Sequence, residues 1–268
     1  MTDIRVKSGE AELIGEVSGE GRTVVFLHAG VADRRMWRAQ VAATEARTVT
    51  YDRRGFGDTR PQDEPYAHID DLLAVLNHVG AERATLVGCS QGGKIALDFA
   101  LAHSERVEGL VLIAPSIGGA PAPETFPPAV EALLEDLEVA EESGDVDRLN
   151  EMEARVWLDG VLGEEGRVSG ELRALFLDMN GVALRASQLG EERPADPAWP
   201  RLADITAPTL IVVGDLDFPH AQERCSRLAS LVRDARLVVM PRAAHLPSFE
   251  HPEAFQGHLD AFLASSSR

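Results

Sequence analysis

Residues 84–93 read ATLVGCSQGG and are the most informative segment for the fold. The run ATLVGC is typical of a strand buried on both faces, and helical periodicity begins at Gln91. Ser90 therefore lies at a strand-to-helix turn, flanked by Gly88 and Gly92 in the pattern Gly-x-Ser-x-Gly. The glycines allow close backbone approach, and the turn presents the Ser90 hydroxyl above the sheet, at the N-terminus of a helix. So short a pattern also arises by chance. The prediction therefore depends on its position between a strand and a helix.

Strand and helix patterns alternate on both sides of this turn. Strands are predicted at residues 23–29, 48–52, 84–89, 107–114, 209–214 and 235–240. Helices are predicted at about residues 66–79, 91–102, 222–232 and 252–263, and the residues up to Val17 predict an antiparallel hairpin. This alternation predicts an α/β fold in which a mostly parallel sheet is flanked by helices on both faces.

Residues 117–200 interrupt the alternation, because amphipathic helical patterns without a strand fill this segment. We expect it to form a helical lid inserted into one core, which comprises residues 1–116 and 201–268. Three apolar residues of the insert are candidates for substrate contact: Trp157, Phe176 and Met179. Residues at helical spacing more often form the insert's own core, and this alternative stays open.

Composition limits the classes of function. The 268 residues suit one large domain, and the net charge of −18 argues against nucleic-acid binding, which needs clustered Lys and Arg. No run of about 18 apolar residues predicts a membrane span, and the first residues lack the apolar core of a signal peptide, so we expect a cytoplasmic protein. The two cysteines, Cys89 and Cys225, have neither disulfide-framework nor metal-site spacing. We expect no metal and no cofactor, and a monomer or a homodimer.

A serine hydroxyl is a weak nucleophile at neutral pH and needs an adjacent base. Among the eight histidines, His245 is favoured, because it follows the last predicted strand and can reach Ser90 across the sheet edge. His251 and His220 remain alternatives.

The base must in turn be oriented by a carboxylate. Asp217 is favoured over Asp215, because it lies further out on the loop after the strand at residues 209–214. The chain order is then Ser90, Asp217, His245, the order found in α/β-hydrolases.

The oxygen that becomes negative on attack needs preorganised N–H donors. We expect one from the backbone of Gln91, which follows the nucleophile, and the other from Gly30, in the loop after the strand at residues 23–29. His28, in the same loop, is expected to hold that loop by hydrogen bonds rather than to act as a base.

Five ordered segments resemble the α/β-hydrolase superfamily. They are FLHAG (residues 26–30), YDRRGFGDT (51–59), GCSQGG (88–93), GDLDFP (214–219) and AAHLPSFEHPEAF (243–255). The resemblance covers nearly the whole chain outside the insert, and it is strongest to capped serine hydrolases such as enol-lactonases, carboxylesterases, cofactor-free haloperoxidases and carbon–carbon bond hydrolases. It implies Gly30 as the loop donor and Asp217 as the acid. Epoxide hydrolases and haloalkane dehalogenases carry Asp where this chain has Ser90, which argues against both activities.

We therefore expect a serine hydrolase that cleaves a small carboxylic ester or lactone through an acyl-enzyme intermediate. Carbon–carbon bond hydrolysis, or perhydrolysis of the haloperoxidase kind, is the alternative on the same three residues. A ligand-sensing receptor that retains the fold is the non-enzymatic alternative.

Overall fold

The computed structural model describes residues 1–265, and its strands form one eight-stranded sheet. The strands are β1 Thr2–Ser8, β2 Ala11–Ser18, β3 Thr23–Leu27, β4 Arg47–Tyr51, β5 Ala84–Cys89, β6 Val107–Ile113, β7 Thr209–Gly214 and β8 Ala235–Met240. Their spatial order is β1-β2-β4-β3-β5-β6-β7-β8. The β1–β2 and β2–β4 pairs are antiparallel, and the remaining pairs are parallel. The predicted α/β fold with a mostly parallel sheet is confirmed.

Helices connect most of these strands. The α-helices are α1 Arg38–Ala43, α2 His68–His78, α3 Gln91–Ala102, α4 Pro128–Glu142, α5 Val146–Glu153, α6 Gly170–Leu184, α7 Pro219–Leu231, α8 Pro247–Glu250 and α9 Pro252–Ser265. Short 3₁₀ helices occupy Arg34–Trp37, Ser104–Arg106 and Trp199–Asp204, and a π-helix continues α5 over Ala154–Gly160. Within the described part of the chain, no helix combines the length and the apolar character needed to cross a membrane.

The observed bounds differ from the predicted ones mainly at short helices. Helix α7 begins at Pro219, earlier than predicted, because proline is tolerated in the first helical turn, where its missing N–H would have no partner. Two short elements were not predicted: the 3₁₀ helix Arg34–Trp37 and the helix α1 that follows it. Both are too short to show a clear helical period of apolar residues, and burial of Met36 and Trp37 holds the 3₁₀ helix in place.

The sheet buries side chains on both faces. Along β3, Val25 and Leu27 belong to one apolar cluster and Phe26 to another. In β5, Leu86 belongs to the first cluster and Val87 to the second. Successive side chains of a strand point to opposite faces, so each of these strands is covered on both sides. Helices α2, α3 and α7 contribute to the first cluster, and α6 and α9 contribute to the second.

The segment between β6 and β7 contains α4, α5, the π-helix and α6. Its Arg167 guanidinium pairs with the carboxylate of Glu250 in α8. An isolated bridge also joins Glu192 of this segment to Tyr66. Polar contacts thus tie the segment to α8 and to the stretch around Tyr66 before α2.

The division of the chain into residues 1–116, 117–200 and 201–268 stays a prediction, as does the role of the middle segment as a lid. Its helices lie where the insert was expected. The last three residues of the third segment, 266–268, lie outside the described residues.

Helix α3 packs very closely on the sheet at the Ser90 turn. A Cβ atom added at Gly92 would lie 2.1 Å from the carbonyl oxygen of Leu27 in β3. A Cβ atom at Gly88 would lie 2.3 Å from the carbonyl oxygen of Gly92. These distances are far below van der Waals contact, so the turn requires glycine at both positions, as its sequence predicts.

We predict that Gly92→Ala lowers the free energy of unfolding by about 1–3 kcal/mol, because α3 must move away from β3 to admit the methyl group. Gly257→Ala is the matched control, since it lies in α9 with no described atom within 4 Å of an added Cβ. It should stabilise the protein by about 0.5–1 kcal/mol, because alanine favours the helix. Urea unfolding followed by circular dichroism measures both changes. Equal stability of the two variants would contradict the close packing.

Candidate active site

Ser90 occupies the turn between β5 and α3 with φ 52° and ψ −112°. A positive φ is uncommon for a residue with a side chain and needs support from its surroundings. The Ser90 N–H donates to the carbonyl of Ile113 at 2.8 Å. The Ser90 carbonyl accepts from the N–H groups of Lys94 at 3.0 Å and Ser116 at 3.1 Å. The end of β6, the segment after it and the first turn of α3 therefore fix the position of the hydroxyl.

The Ser90 hydroxyl is in hydrogen-bond contact with a histidine, which in turn contacts a carboxylate. His245 Nε2 lies 2.9 Å from Ser90 Oγ, and His245 Nδ1 lies 2.9 Å from Asp217 Oδ2. Asp217 also accepts the backbone N–H of Phe218 at 2.7 Å. An ionised carboxylate only accepts hydrogen bonds, so the imidazole proton is assigned to Nδ1, and Nε2 accepts the Ser90 hydroxyl. Asp217 and His245 are 1% and 7% exposed, so this pair is shielded from solvent, while Ser90 is partly buried.

The structure brings together the three residues that the sequence favours and separates the alternatives from them. Asp215 is exposed. His251 Nε2 contacts the carbonyl of Arg242 at 2.9 Å. His220 packs its ring on Phe218 with centroids 5.1 Å apart, and burial lowers its pKa. Within the described residues, none of these three side chains is hydrogen-bonded to Ser90, whose hydroxyl lies against His245.

Glu250, to which the sequence pattern assigned no role, supports the loop of His245. Its carboxylate accepts the backbone N–H groups of Ala244 at 2.9 Å and Leu246 at 3.1 Å, the residues on either side of the histidine. It also pairs with Arg167 from the segment between β6 and β7. Burial raises the pKa of Glu250, and these donors oppose that rise. The available signal was a glutamate in the segment AAHLPSFEHPEAF, but the sequence does not show its side chain folding back onto the loop.

Two backbone N–H groups beside Ser90 meet no acceptor within residues 1–265. One belongs to Gln91, the first residue of α3, and the other to Gly30, in the loop after β3. The two residues are in contact, because a Cβ atom at Gly30 would lie 2.9 Å from Gln91 Cδ. The predicted donors are therefore neighbours, at the positive end of the α3 dipole.

His28 holds the loop that carries Gly30. Its Nε2 accepts the backbone N–H of Arg53 at 3.0 Å, so Nδ1 carries the proton and donates to the Ala29 carbonyl at 2.8 Å. Burial lowers the pKa of His28 well below its ordinary value, which keeps the ring neutral. Both ring nitrogens are thus engaged in the structural role that the sequence favoured.

Of the three insert residues predicted to contact a substrate, Trp157 lies beside the relay. Its ring centroid is 4.7 Å from that of His245 and 5.4 Å from that of Phe218. Phe176 and Met179 are both 0% exposed and belong to the apolar cluster on the second face of the sheet. A substrate could contact Phe176 or Met179 only if the apolar side chains packed around them moved apart. Their position agrees with the alternative that such residues form the insert's core.

Other nucleophiles are less favourably placed. Cys89 and Cys225 are unpaired and buried, and burial raises the pKa of both thiols. Within residues 1–265, no group of three or more His, Cys, Asp or Glu side chains is arranged to hold a metal ion. Ser90, by contrast, has a base in hydrogen-bond contact.

The chain resembles known proteins over most of its length. The model of the alpha/beta hydrolase family matches residues 24–256. A 2-hydroxy-6-oxononadienedioate/2-hydroxy-6-oxononatrienedioate hydrolase from Comamonas testosteroni is 30% identical over 264 residues, which cover 92% of this chain and 90% of that protein. A pimeloyl-(acyl-carrier protein) methyl ester esterase from Pectobacterium atrosepticum is 30% identical over 258 residues, which cover 94% of this chain and 98% of that protein.

A solved structure is similar in fold over the full length. A thermophilic esterase from Thermogutta terrifontis superposes with a TM-score of 0.77 at 27% identity and covers 100% of both chains. The family match spans the strand-to-helix turn of Ser90 as well as the segments of Asp217 and His245. The chain belongs to the alpha/beta hydrolase family.

Proposed function

We propose that this protein is a serine hydrolase that cleaves a small carboxylic ester or lactone through an acyl-enzyme intermediate. The observation that carries the proposal is the continuous hydrogen-bond relay from Ser90 Oγ through His245 to Asp217, with both distances 2.9 Å. Such a relay makes the hydroxyl nucleophilic, because the histidine accepts the proton while the carboxylate stabilises the resulting imidazolium.

In the first half of the reaction, Ser90 Oγ bonds to the acyl carbon and its proton passes to His245 Nε2. The carbonyl electrons move to oxygen, and the backbone N–H groups of Gly30 and Gln91 stabilise this oxyanion. The tetrahedral intermediate then collapses, and the bond between the acyl carbon and the alcohol oxygen breaks. The departing alcohol takes the proton from Nε2, which leaves an acyl group on Ser90.

In the second half, a water molecule replaces the alcohol. Its proton passes to His245 Nε2 while its oxygen bonds to the acyl carbon, and the same two N–H groups stabilise the oxyanion. Collapse releases the carboxylic acid and returns the proton to Ser90 Oγ. With a lactone, alcohol and acid remain joined in one hydroxy acid product. Neither half needs a cofactor.

Trp157 is the residue of the insert that we propose for substrate contact, because its indole ring lies against His245. An apolar surface beside the general base suits an ester of modest polarity. Phe176 and Met179 would join it only in a more open arrangement, since neither has accessible surface in this structure.

The relatives support ester cleavage and also favour a second candidate. The relative from Pectobacterium is named as a methyl ester esterase, and the similar structure is that of an esterase. The relative from Comamonas is named for a substrate that has keto and carboxylate groups but no ester, so its hydrolysis breaks a carbon–carbon bond. Carbon–carbon bond hydrolysis on the same residues is therefore the second candidate for this chain.

We predict that Ser90→Ala lowers kcat for p-nitrophenyl acetate by at least about 10³-fold, because no other group then forms the acyl intermediate. A fluorophosphonate probe should label the wild-type protein and leave the variant unlabelled. Ser226→Ala is the matched control, since this serine lies exposed on α7 with its hydroxyl bonded to the Gln222 carbonyl. Its activity and labelling should equal the wild type. Undiminished hydrolysis by Ser90→Ala would overturn the proposal.

We predict that Glu250→Gln lowers kcat by about 10-fold with little change in KM, because the amide weakens its hold on the N–H groups beside His245. Glu253→Gln, an exposed glutamate in the first turn of α9, is the matched control and should behave as the wild type. Steady-state kinetics after active-site titration separate the two constants. Wild-type kcat per active site in Glu250→Gln would show that the loop does not depend on this carboxylate.

We predict that kcat/KM is at least about tenfold higher for an activated ester or lactone than for a 2-hydroxy-6-oxo-dienoate, because the oxyanion site and leaving-group protonation suit acyl–oxygen cleavage. Hydrolysis of the three compounds can be followed spectrophotometrically, with Ser90→Ala as the background. The reverse order of kcat/KM would move the assignment to carbon–carbon bond hydrolysis.

A further inference from the structure

We propose that Arg53 is a positioning residue of the oxyanion hole, whose guanidinium fixes both N–H donors and whose charge stabilises the oxyanion. This inference rests on the proposed function and names a part of its machinery. Arg53 follows β4 and is not one of the three relay residues. It acts through the loop after β3 and the first residue of α3.

Arg53 is a buried cation whose hydrogen-bond partners are neutral. It is 2% exposed, and its guanidinium donates to Gln91 Oε1 at 2.8 Å and to the Ala29 carbonyl at 3.0 Å. Its carbon Cζ lies 4.3 Å from the centre of the Phe56 ring, and its Nε has no partner in the described residues. Burial lowers the pKa of Arg53 to about 10, so the side chain is still charged near neutral pH.

The next residue, Arg54, provides a contrast. Its guanidinium forms ion pairs with Asp71 at 2.9 Å and Glu64 at 2.6 Å. An arginine retained for structure alone is expected to be paired in this way, because an unpaired buried charge is unfavourable. Arg53, by contrast, forms no ion pair within the described residues, and the carboxylates of Asp52 and Glu192 attract its charge only from a distance.

The contact with Ala29 fixes the first donor. The Ala29 carbonyl and the Gly30 N–H belong to the same peptide group, and no peptide bond in the described chain is cis. In a planar trans peptide these two groups point in opposite directions. Arg53 Nη2 and His28 Nδ1 both donate to the Ala29 carbonyl, at 3.0 Å and 2.8 Å. They therefore hold the Gly30 N–H pointing away from Arg53.

The contact with Gln91 ties Arg53 to the residue that carries the second donor. Arg53 Nη1 holds the Gln91 side chain, and that side chain lies over Gly30, where an added Cβ would be 2.9 Å from its Cδ. The backbone N–H of Arg53 also donates to His28 Nε2 at 3.0 Å, which sets the tautomer that faces Ala29. One residue thus spans the two segments that supply the donors.

The charge of Arg53 gains a further attraction during the reaction. When Ser90 attacks, the acyl oxygen becomes negative on the other side of the peptide that Arg53 polarises. Because the guanidinium of Arg53 is buried, this attraction is stronger than between two groups in solvent. Because the substrate carbonyl is neutral and the oxyanion is charged, the interaction favours the transition state over the bound substrate. Loss of Arg53 should therefore lower kcat and leave KM nearly unchanged.

The test compares Arg53→Met and Arg53→Lys with Arg47→Met. Arg47 lies at the opposite end of β4 and donates to the Val79 carbonyl, so it is a matched arginine outside the site. The rate of p-nitrophenyl acetate hydrolysis is divided by the number of active sites titrated with a fluorophosphonate. Misfolded protein is thereby excluded from kcat. We expect kcat per site to fall by about 10- to 100-fold in Arg53→Met, with KM within about threefold of the wild type. Arg53→Lys keeps the positive charge but lacks the planar guanidinium that donates to both Gln91 and Ala29. Its kcat per site should lie between those of the wild type and Arg53→Met.

A second readout tests the oxyanion itself. A boronic acid forms a tetrahedral anion on the serine, so its affinity should fall in Arg53→Met by a factor similar to that of kcat/KM. Arg47→Met should match the wild type in both readouts.

Three outcomes would overturn the inference. Unchanged kcat per site with a lower melting temperature would make Arg53 structural only. A raised KM at unchanged kcat would make it a ground-state contact to the substrate. If Arg53→Met does not fold, wild-type kcat and boronic acid affinity in Arg53→Lys would contradict the bridging role. The proposed function fails separately, when the wild-type protein neither hydrolyses esters nor is labelled at Ser90.

Discussion

Ser90 is held at φ 52° and ψ −112°, a backbone conformation that costs a residue with a side chain about 1–3 kcal/mol, and its neighbours must offset this cost. Hydrogen bonds from β6, the segment after it and α3 support the turn, while Gly88 and Gly92 allow β5, α3 and β3 to meet at contact distance. Near the same turn, Gly30 lies against the side chain of Gln91, the first residue of α3. One strained turn therefore sets the packing of α3 on the sheet and, in the proposed mechanism, the surroundings of the nucleophile.

Parallel strands that end at one edge of the sheet supply the rest of the relay. Asp217 follows β7 and His245 follows β8, and this common edge is where ligand sites form in such sheets. The histidine is constrained twice, because Asp217 holds its ring and Glu250 holds the backbone on either side of it. We propose that Arg53 supports the oxyanion donors in a similar way, through its contacts with Ala29 and Gln91. The site is thus organised before a substrate binds, which is what electrostatic catalysis requires.

The sequence predicts the fold, and it singles out Ser90, Asp217 and His245, which the structure joins by hydrogen bonds, because both depend on signals that are local in the chain. Continuous apolar runs mark the buried parallel strands, and Asp217 and His245 follow two of them. The supporting residues depend instead on contacts between distant segments. Nothing near Glu250 in the sequence shows that its carboxylate folds back onto a loop, and nothing near Arg53 shows that it lacks an acidic partner. Likewise, the helical pattern around Phe176 shows an apolar face without showing whether that face meets the sheet or a substrate.

In the proposed mechanism, Ser90 carries the acyl group during turnover. Rapid acid quenching of the protein with p-nitrophenyl acetate, followed by mass spectrometry of its peptides, shows whether it does. We expect an acetyl group on the peptide that contains Ser90, formed in a burst of nitrophenol and lost as acetate is released. Continued hydrolysis with Ser90 unmodified at every quench time, or with the acetyl group on another residue, would contradict it.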